Sequence, residues 1–256
     1  MRQIIRIIAL SLLVLSVTGC ATMRKKKVGQ PAEENISLMD MKSIMTGIRS
    51  YNITGDGFVI KKGRIDLIDG TPVEGVYGFT AKLNNEGDFY ASVKGPLGIE
   101  MIKILAVGND ICGIIKLSRT VYVGKKDELM RKYGLPDDFF TAIFGDLPEA
   151  EIQKADSIVG NNLILHIDND KLERLITICL DEMKVCSEDI YSIKEKKEFS
   201  LSFSNFALSE DRKYASEIDL KQKGEDFHVK LYIETLVPGC SEKIEFKVPS
   251  YNSESL

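Results

Sequence analysis

The fold is decided by residues 88–104, which read DFYASVKGPLGIEMIKI. Phe89, Ala91 and Val93 alternate with polar or smaller residues up to a corner at Gly95-Pro96-Leu97-Gly98, and an alternating segment resumes after it. Side chains of a strand point to opposite faces in turn, so a period of two that is interrupted by Gly and Pro is typical of a hairpin. This stretch therefore predicts two antiparallel strands joined by a tight corner.

The residue at the tip of this corner is unusual. Turns favour Gly, Pro, Asn, Asp and Ser, yet Leu97 occupies the tip. An exposed apolar side chain at a loop tip indicates that something contacts it. The pattern alone leaves two interpretations open: Leu97 folds back onto the sheet, or it meets a partner surface.

Composition narrows the class of protein. The chain has 256 residues, 44% hydrophobic and 28% charged, which is ordinary for a globular protein. Its formal net charge of −4 argues against a nucleic-acid partner, because such a partner requires a basic face. Tryptophan is absent and aromatic residues make up 8%, which disfavours an aromatic platform for bases or sugars.

The N-terminus predicts export and lipidation. Arg2 and Arg6 precede an apolar run that ends at Val17-Thr18-Gly19-Cys20. Residues 1–19 have the organisation of a secretory signal peptide and are too short for a stable membrane span. Val17-Thr18-Gly19-Cys20 resembles a bacterial lipobox, which implies a lipidated Cys20 after cleavage; the alternative is an ordinary secretory signal with a coincidental cysteine. Since Ala21 and not Asp follows, the resemblance favours the outer membrane.

Residues 20–35 predict a flexible tether. Its basic run Arg24-Lys25-Lys26-Lys27 has two interpretations. In the first, it lies against anionic lipid headgroups, and each basic residue contributes about 1 kcal/mol to the attraction. In the second, it is a soluble linker.

The remainder predicts a single mainly β domain over residues 36–248, followed by a frayed polar tail at 249–256. Short alternating segments recur at intervals that suit antiparallel strands. They are 52–62, 74–83, 88–95, 99–107, 111–117, 119–124, 162–168, 172–180, 184–193, 198–207, 213–222, 227–236 and 242–248. An open twisted sheet of about 11–12 strands curls, so we expect an unclosed β-barrel covered by a helical lid.

Two helical regions are predicted to cover the concave face. An amphipathic helix over 37–51 places Met41, Met45 and Ile48 on one face. A helical insert over 126–158 comprises helices at 127–133, 136–144 and 149–159. Its second helix carries Phe139, Phe140, Ile143 and Phe144, and core packing is the default role of these side chains.

Catalytic and metal-binding patterns are scarce. His166 and His228 are the only histidines, and no HExxH, GxSxG, P-loop or GxGxxG occurs. His166, Asp168 and Asp170 alternate along a strand edge, but the run Asp168-Asn169-Asp170 is better explained as a turn. Asp137-Asp138 after Pro136 fits a helix N-terminus better than a catalytic pair. We therefore expect no enzyme activity, no metal and no cofactor.

Four cysteines follow Cys20: Cys112, Cys179, Cys186 and Cys240. Export permits disulfides, and Cys179 and Cys186 flank a predicted hairpin turn. The spacing leaves two possibilities, a cross-strand disulfide or two buried free thiols.

Taken together, these features resemble the LolB-like outer-membrane lipoprotein receptors and the related periplasmic LolA carriers, with uncharacterised lipoproteins of that shape. The resemblance runs most closely from Phe89 to Pro148. It rests on Pro96-Leu97-Gly98, on the strand Thr120-Val121-Tyr122-Val123 and on the segment Phe139-Phe140-Thr141-Ala142-Ile143-Phe144-Gly145-Asp146-Leu147-Pro148.

The resemblance implies a fold and a function. It implies an unclosed β-barrel whose lidded apolar cavity receives the acyl chains of lipoproteins, and a location at the outer membrane facing the periplasm. Leu97 becomes a membrane-insertion residue, and Phe139, Phe140, Ile143 and Phe144 line or lid the cavity. A LolA-like carrier is an implied partner, and we expect a monomer. Two other functions stay open: binding of another hydrophobic ligand or an envelope-assembly partner, and an envelope hydrolase.

Overall fold

The computed structural model describes residues 38–68, 74–148, 154–225, 227–245 and 247–255. In these ranges the helices are α1 (Leu38–Ser50), α2 (Lys126–Tyr133) and α3 (Phe139–Ala142), with a 3-10 turn at Pro96–Gly98. The first strands are β1 (Phe58–Leu67), β2 (Gly75–Leu83), β3 (Phe89–Lys94), β4 (Glu100–Val107), β5 (Asp110–Ile115), β6 (Thr120–Lys125) and β7 (Lys154–Val159). The others are β8 (Asn162–Asp168), β9 (Leu172–Cys179), β10 (Lys184–Ser192), β11 (Lys197–Ser209), β12 (Arg212–Gln222), β13 (His228–Pro238) and β14 (Asn252–Ser255).

All these strands belong to one sheet, in the order β14-β6-β5-β4-β3-β2-β1-β13-β12-β11-β10-β9-β8-β7. Neighbouring strands are antiparallel except β14 and β6, which pair in parallel. The sheet ends at β14 on one side and at β7 on the other, so it does not close on itself. This confirms the predicted mainly β fold with an unclosed, curled sheet, although the described residues form 14 strands instead of about 11–12.

Two of the predicted elements are wrong. The segment 149–159 was expected to be helical, but β7 occupies 154–159 and pairs with β8, while 149–153 lie outside the described residues. The ladder of hydrogen bonds to β8 overrides the helix-forming residues of this segment. The predicted strand at 242–248 is absent from the described part of that segment, and the last strand is β14, inside the predicted tail.

A bulge near the start of β1 bends the sheet. The pairing register of β1 with β2 shifts between Ile60 and Gly63. A β-carbon at Gly63 would lie 2.3 Å from the ring of Phe79, so only glycine leaves room for this ring. Bulges increase local twist, and this one lies where β1 joins the two halves of the sheet.

The main core lies between one face of the sheet and the helices. It contains Ile48 of α1, Leu129 and Met130 of α2, and Leu163 and Ile176 of the sheet. A second apolar cluster lies on the opposite face of β4–β6. There Ile244, from the chain after β13, packs with Leu105, Cys112, Ile114 and Val121.

Candidate ligand site beneath the lid

The predicted face of α1 points into the core. Met45 and Ile48 are buried, and Met41 is half-buried and packs against the same cluster. These residues recur at intervals of three and four, so they follow one stripe of the helix. Gly47 lies on α1 where the terminal methyl of Met183 approaches its backbone, since a β-carbon there would be 2.9 Å from that methyl.

We call residues 138–148 the lid, since they pack their aromatic side chains over the concave face of the sheet. Phe139 and Phe144 are buried, whereas Phe140 and Ile143 are half-buried. The Phe144 ring meets Phe58 of β1 edge-on, with 4.6 Å between centroids. Phe140 lies 4.9 Å from Phe89 of β3. All seven residues predicted to lie at the cavity therefore belong to one apolar cluster or pack against it.

A cleft of about 1240 Å³ opens at the lid. Its walls come from the end of α1, the lid and the chain before it, the β2–β3 turn, and the turns of the second half of the sheet. Polar and apolar residues line it, among them Arg49, Asp138, Lys171 and Arg212, and Met130, Leu135, Leu147 and Ile167. The aromatic side chains of the lid are not among its lining residues, because they pack against the sheet.

One end of the lid is fixed by a buried aspartate. The side chains of Asp146 and Lys184 are 0% and 1% exposed, and Nζ of Lys184 lies 2.5 Å from Oδ1 of Asp146. The other carboxylate oxygen accepts hydrogen bonds from the backbone N–H of Ile53 and Thr54 and from Oγ1 of Thr54. Asp146 thus joins the lid both to strand β10 and to the chain after α1.

The adjacent backbone is also paired. Nδ2 of Asn52 donates to the carbonyl of Leu147 at 2.9 Å, and the N–H of Leu147 donates back to Oδ1 of Asn52 at 3.1 Å. Nη2 of Arg49 donates to the carbonyl of Pro148. These hydrogen bonds tie the end of the lid to α1 and to the chain that follows it.

The other end of the lid is fixed by an arginine between two carboxylates. Nε of Arg174 donates to Oε1 of Glu188 at 2.6 Å, and Nη1 donates to Asp138 at 2.9 Å. Burial raises the pKa of Glu188, and the charge of Arg174 opposes that rise. Burial likewise opposes the charged form of Arg174, but Glu188 and Asp138 outweigh it, so the pKa of Arg174 is raised.

The ion pairs of Arg174 with Glu188 and Asp138 were not predicted, although the sequence carries a signal for them. Arg174, Ile176 and Ile178 are all buried and occupy alternate positions of β9. In β10, Glu188 and Ile190 likewise share the buried face. A charged residue on the apolar face of a strand predicts a buried partner, because an isolated buried charge is too costly.

Leu97 protrudes from the corner between β3 and β4. It is 97% exposed, which excludes the interpretation that it folds back onto the sheet. The backbone of Gly95 donates to Ile99 at 2.9 Å, and that of Gly98 donates to Gly95, so the corner is closed. Leu97 has a φ of 64°, a region that costs a residue with a β-carbon on the order of 1 kcal/mol. The strained tip therefore holds an apolar side chain in solvent.

The four cysteines after Cys20 form one disulfide and leave two free thiols. Cys179 and Cys186 form a disulfide across β9 and β10, with 5.8 Å between their Cα atoms. Cys112 and Cys240 are buried and unpaired with each other. Cys20 lies outside the described residues, so its lipidation stays a prediction.

Other site types find little support in the described part of the chain. No group of three or more His, Cys, Asp or Glu side chains there is arranged to hold a metal ion. No helix in those ranges is long and apolar enough to cross a membrane.

Comparison with known proteins places the fold. No family model and no curated protein matches the sequence. Among solved structures, an outer membrane lipoprotein-sorting protein domain from Vibrio parahaemolyticus has a TM-score of 0.57 at 12% identity, covering 78% of this chain and 93% of that one. A LolA superfamily protein from Nitrosomonas europaea has a TM-score of 0.54 at 12% identity, covering 77% and 92%.

A DUF1329 family protein from Desulfovibrio piger is similar too, with a TM-score of 0.51 at 12% identity over 78% of this chain and 92% of that one. These similarities show that the chain has a LolA/LolB-like fold, as the sequence resemblance implies.

Proposed function

We propose that this protein is a lipid-anchored outer-membrane lipoprotein that receives the acyl chains of lipoproteins beneath its lid and passes them to the membrane. It acts without a catalytic step. The structural neighbour described as a lipoprotein-sorting domain supports a lipoprotein as the ligand. The leader and Cys20 support the anchor, and a LolA-like carrier is the donor that the proposal requires.

The observation that carries the proposal is the composition of the lid. Its aromatic side chains pack against the apolar face of the sheet, which is the face that acyl chains would contact once the lid moves aside. When the lid moves aside, acyl chains restore the apolar contacts that its phenyl rings leave. Each CH₂ group that leaves water contributes about 0.8 kcal/mol. Burial of a few acyl chains therefore offsets the free-energy cost of opening the packed lid.

The polar contacts of the lid separate a closed state from an open state. Asp138 and Asp146 hold its two ends on Arg174 and Lys184. Both contacts must separate, or shift with the lid, before the concave face is reached. Such a lid exchanges between closed and open forms, and a ligand that binds only the open form shifts the population toward it.

Release into the membrane is assigned to Leu97. Its side chain lies at the tip of the corner between β3 and β4 and is nearly fully exposed. An apolar side chain in this position loses its contact with water when the corner enters a bilayer. Leu97 is therefore a membrane-contact residue in the proposal, and it takes no part in capture.

The test is a transfer reaction. The chain from residue 20 onward, with Cys20→Ala, is mixed with a carrier that is loaded with a triacylated lipoprotein, and the transferred lipoprotein is measured. The anchored protein on liposomes is then compared with Leu97→Glu and with the control Leu208→Glu, which changes another exposed leucine. We expect capture by all three and delivery to the bilayer by the native and control proteins only.

Two results would change the conclusion. If no form accepts lipoprotein, the similarity reports the fold alone. If the soluble protein binds free fatty acid but refuses the loaded carrier, the ligand is another hydrophobic molecule.

A further inference from the structure

Exposed apolar side chains concentrate at one end of the sheet. Leu97 and Ile99 belong to the corner between β3 and β4, and Leu117 belongs to the turn between β5 and β6. Ile68 and Val76 flank the connection between β1 and β2. Leu97, Ile99 and Leu117 are 97%, 58% and 60% exposed, and the two others are exposed as well. We call these five residues the hairpin rim.

The strand register makes the three turns neighbours. Gly78 of β2 pairs with Lys94 of β3, so Val76 lies beside the Gly95–Ile99 corner. On the other side, the N–H of Lys116 donates to the carbonyl of Met101 at 3.0 Å, which sets Leu117 beside that corner. The apolar side chains therefore form one row along adjacent hairpin ends.

The charges around the rim favour an anionic surface. Nζ of Lys116 lies 2.6 Å from Oε1 of Glu100, and Lys103 lies 3.6 Å from the same oxygen, so that carboxylate is neutralised. Lys94 and Arg119 form no ion pair within the described ranges. The corner, the β5–β6 turn and their strand ends, residues 94–100 and 115–120, carry the basic residues Lys94, Lys116 and Arg119 and one carboxylate, Glu100. Cations therefore exceed anions at these two turns, although the whole chain is acidic with a net charge of −4. The connection between Ile68 and Val76 instead carries the acidic residues Asp69 and Glu74.

We propose that the hairpin rim as a whole, and not Leu97 alone, is the surface with which the protein contacts a bilayer that carries anionic phospholipids. A row of protruding apolar side chains suits a bilayer, because each side chain can enter the lipid without a matching pocket. The basic residues beside the tips meet the anionic headgroups. This inference rests on the proposed function, which supplies the membrane, and it extends the contact to residues that do not touch the lid.

The tether length permits this contact. Residues 21–37 separate Cys20 from the start of α1. Extended, a chain of this length spans at most roughly 60 Å. A protein anchored at Cys20 can therefore turn its rim toward the membrane that holds the anchor.

The test measures binding to vesicles. The unlipidated chain from residue 20 onward, with Cys20→Ala, is floated with vesicles of phosphatidylcholine, with and without phosphatidylglycerol. The variant Leu117→Asp is compared with Leu208→Asp, because Leu208 is equally exposed at 64% but lies near the β11–β12 turn, at the other end of the sheet. We expect Leu117→Asp to partition onto the vesicles about tenfold more weakly than the native chain. The control Leu208→Asp should bind like the native chain.

Charge is tested in the same way. The double variant Lys94→Gln/Arg119→Gln is expected to lose about tenfold or more in binding to the phosphatidylglycerol vesicles, and little with phosphatidylcholine alone. Lys61→Gln, an exposed lysine within β1, is the control. The thermal unfolding midpoint of every variant verifies that the fold is intact.

The outcomes separate this inference from the proposed function. If Leu97→Asp abolishes vesicle binding while Leu117→Asp binds like the native chain, the contact is a single tip and the inference is overturned. Failure of the native chain to bind either vesicle also overturns it. Capture of lipoprotein from a carrier is measured without vesicles and must be unchanged in Leu117→Asp. Loss of capture by the native chain overturns the proposed function instead.

Discussion

Lys184 and Asp146 form a fully buried ion pair, with 2.5 Å between Nζ and Oδ1, and this pair joins strand β10 to the lid. Ion pairs of this kind are weak sources of net stability, because both charges leave water. Their removal is nevertheless costly when one partner stays behind. The pair therefore fixes where the lid closes more than how stable the fold is.

The first prediction concerns this pair. Asp146→Ala leaves the Lys184 ammonium buried without a counter-ion and leaves the donors of Ile53 and Thr54 without their acceptor. We expect the free energy of unfolding to fall by about 3–5 kcal/mol, measured by urea denaturation. The control Asp110→Ala breaks an exposed pair with Lys125, where the expected loss is below about 1 kcal/mol. Equal losses in the two variants would contradict this role of Asp146.

The second prediction concerns pH. In Arg174→Met, Glu188 keeps its burial but loses the charge that opposes the rise of its pKa. A group whose folded-state pKa is raised stabilises the fold at low pH, and this contribution is lost as the pH rises through that pKa. The stability deficit of Arg174→Met should therefore grow as the pH rises above 4.5, the ordinary pKa of a glutamate.

Thermal unfolding at several pH values measures this deficit. In the double variant Arg174→Met/Glu188→Gln the part of the pH dependence that Glu188 causes should disappear, since that carboxyl group is gone. A deficit that does not change with pH would show that Glu188 carries no charge that matters to folding.

The third prediction concerns the disulfide between Cys179 and Cys186. It closes the hairpin that carries Met183 against α1 and Lys184 against the lid. Cys179→Ser/Cys186→Ser should lower the free energy of unfolding by about 2 kcal/mol, through loss of the constraint on the unfolded chain. A reductant should lower the unfolding midpoint of the native protein but not that of the variant. A midpoint of the native protein that ignores the reductant would refute this.

The fourth prediction concerns Cys112. Burial raises the pKa of its thiol from 9.0 to about 11. Below pH 9.0 the thiol is protonated in both states, and as the pH rises toward 11 the unfolded state loses its proton first, so stability falls. Cys112→Ala should flatten this alkaline loss in thermal unfolding.

The same burial should protect the thiol from alkylation. Iodoacetamide at about pH 8 should leave Cys112 unlabelled in the native protein and label it in urea. Native labelling at the rate of the unfolded chain would contradict its placement beneath Ile244.

The β-rich fold was predictable because its signals are local. The corner at Gly95–Gly98 and the alternation of Phe89, Ala91 and Val93 each lie within a few residues, and the strands β3 and β4 form there. The strand β7 was missed for the opposite reason. Its residues favour a helix locally, and only pairing with β8 makes them extended.

A mainly β chain with an apolar helix face, an aromatic insert and a leucine at a turn tip follows from the sequence alone. Periodicity and turn chemistry act between neighbours in the chain, so they can be seen without a structure. The contacts of Asp146 with Lys184 and of Asp138 with Arg174 arise only in the folded chain. These partners are 38 and 36 residues apart, and their attraction depends on a burial that the folded sheet alone creates.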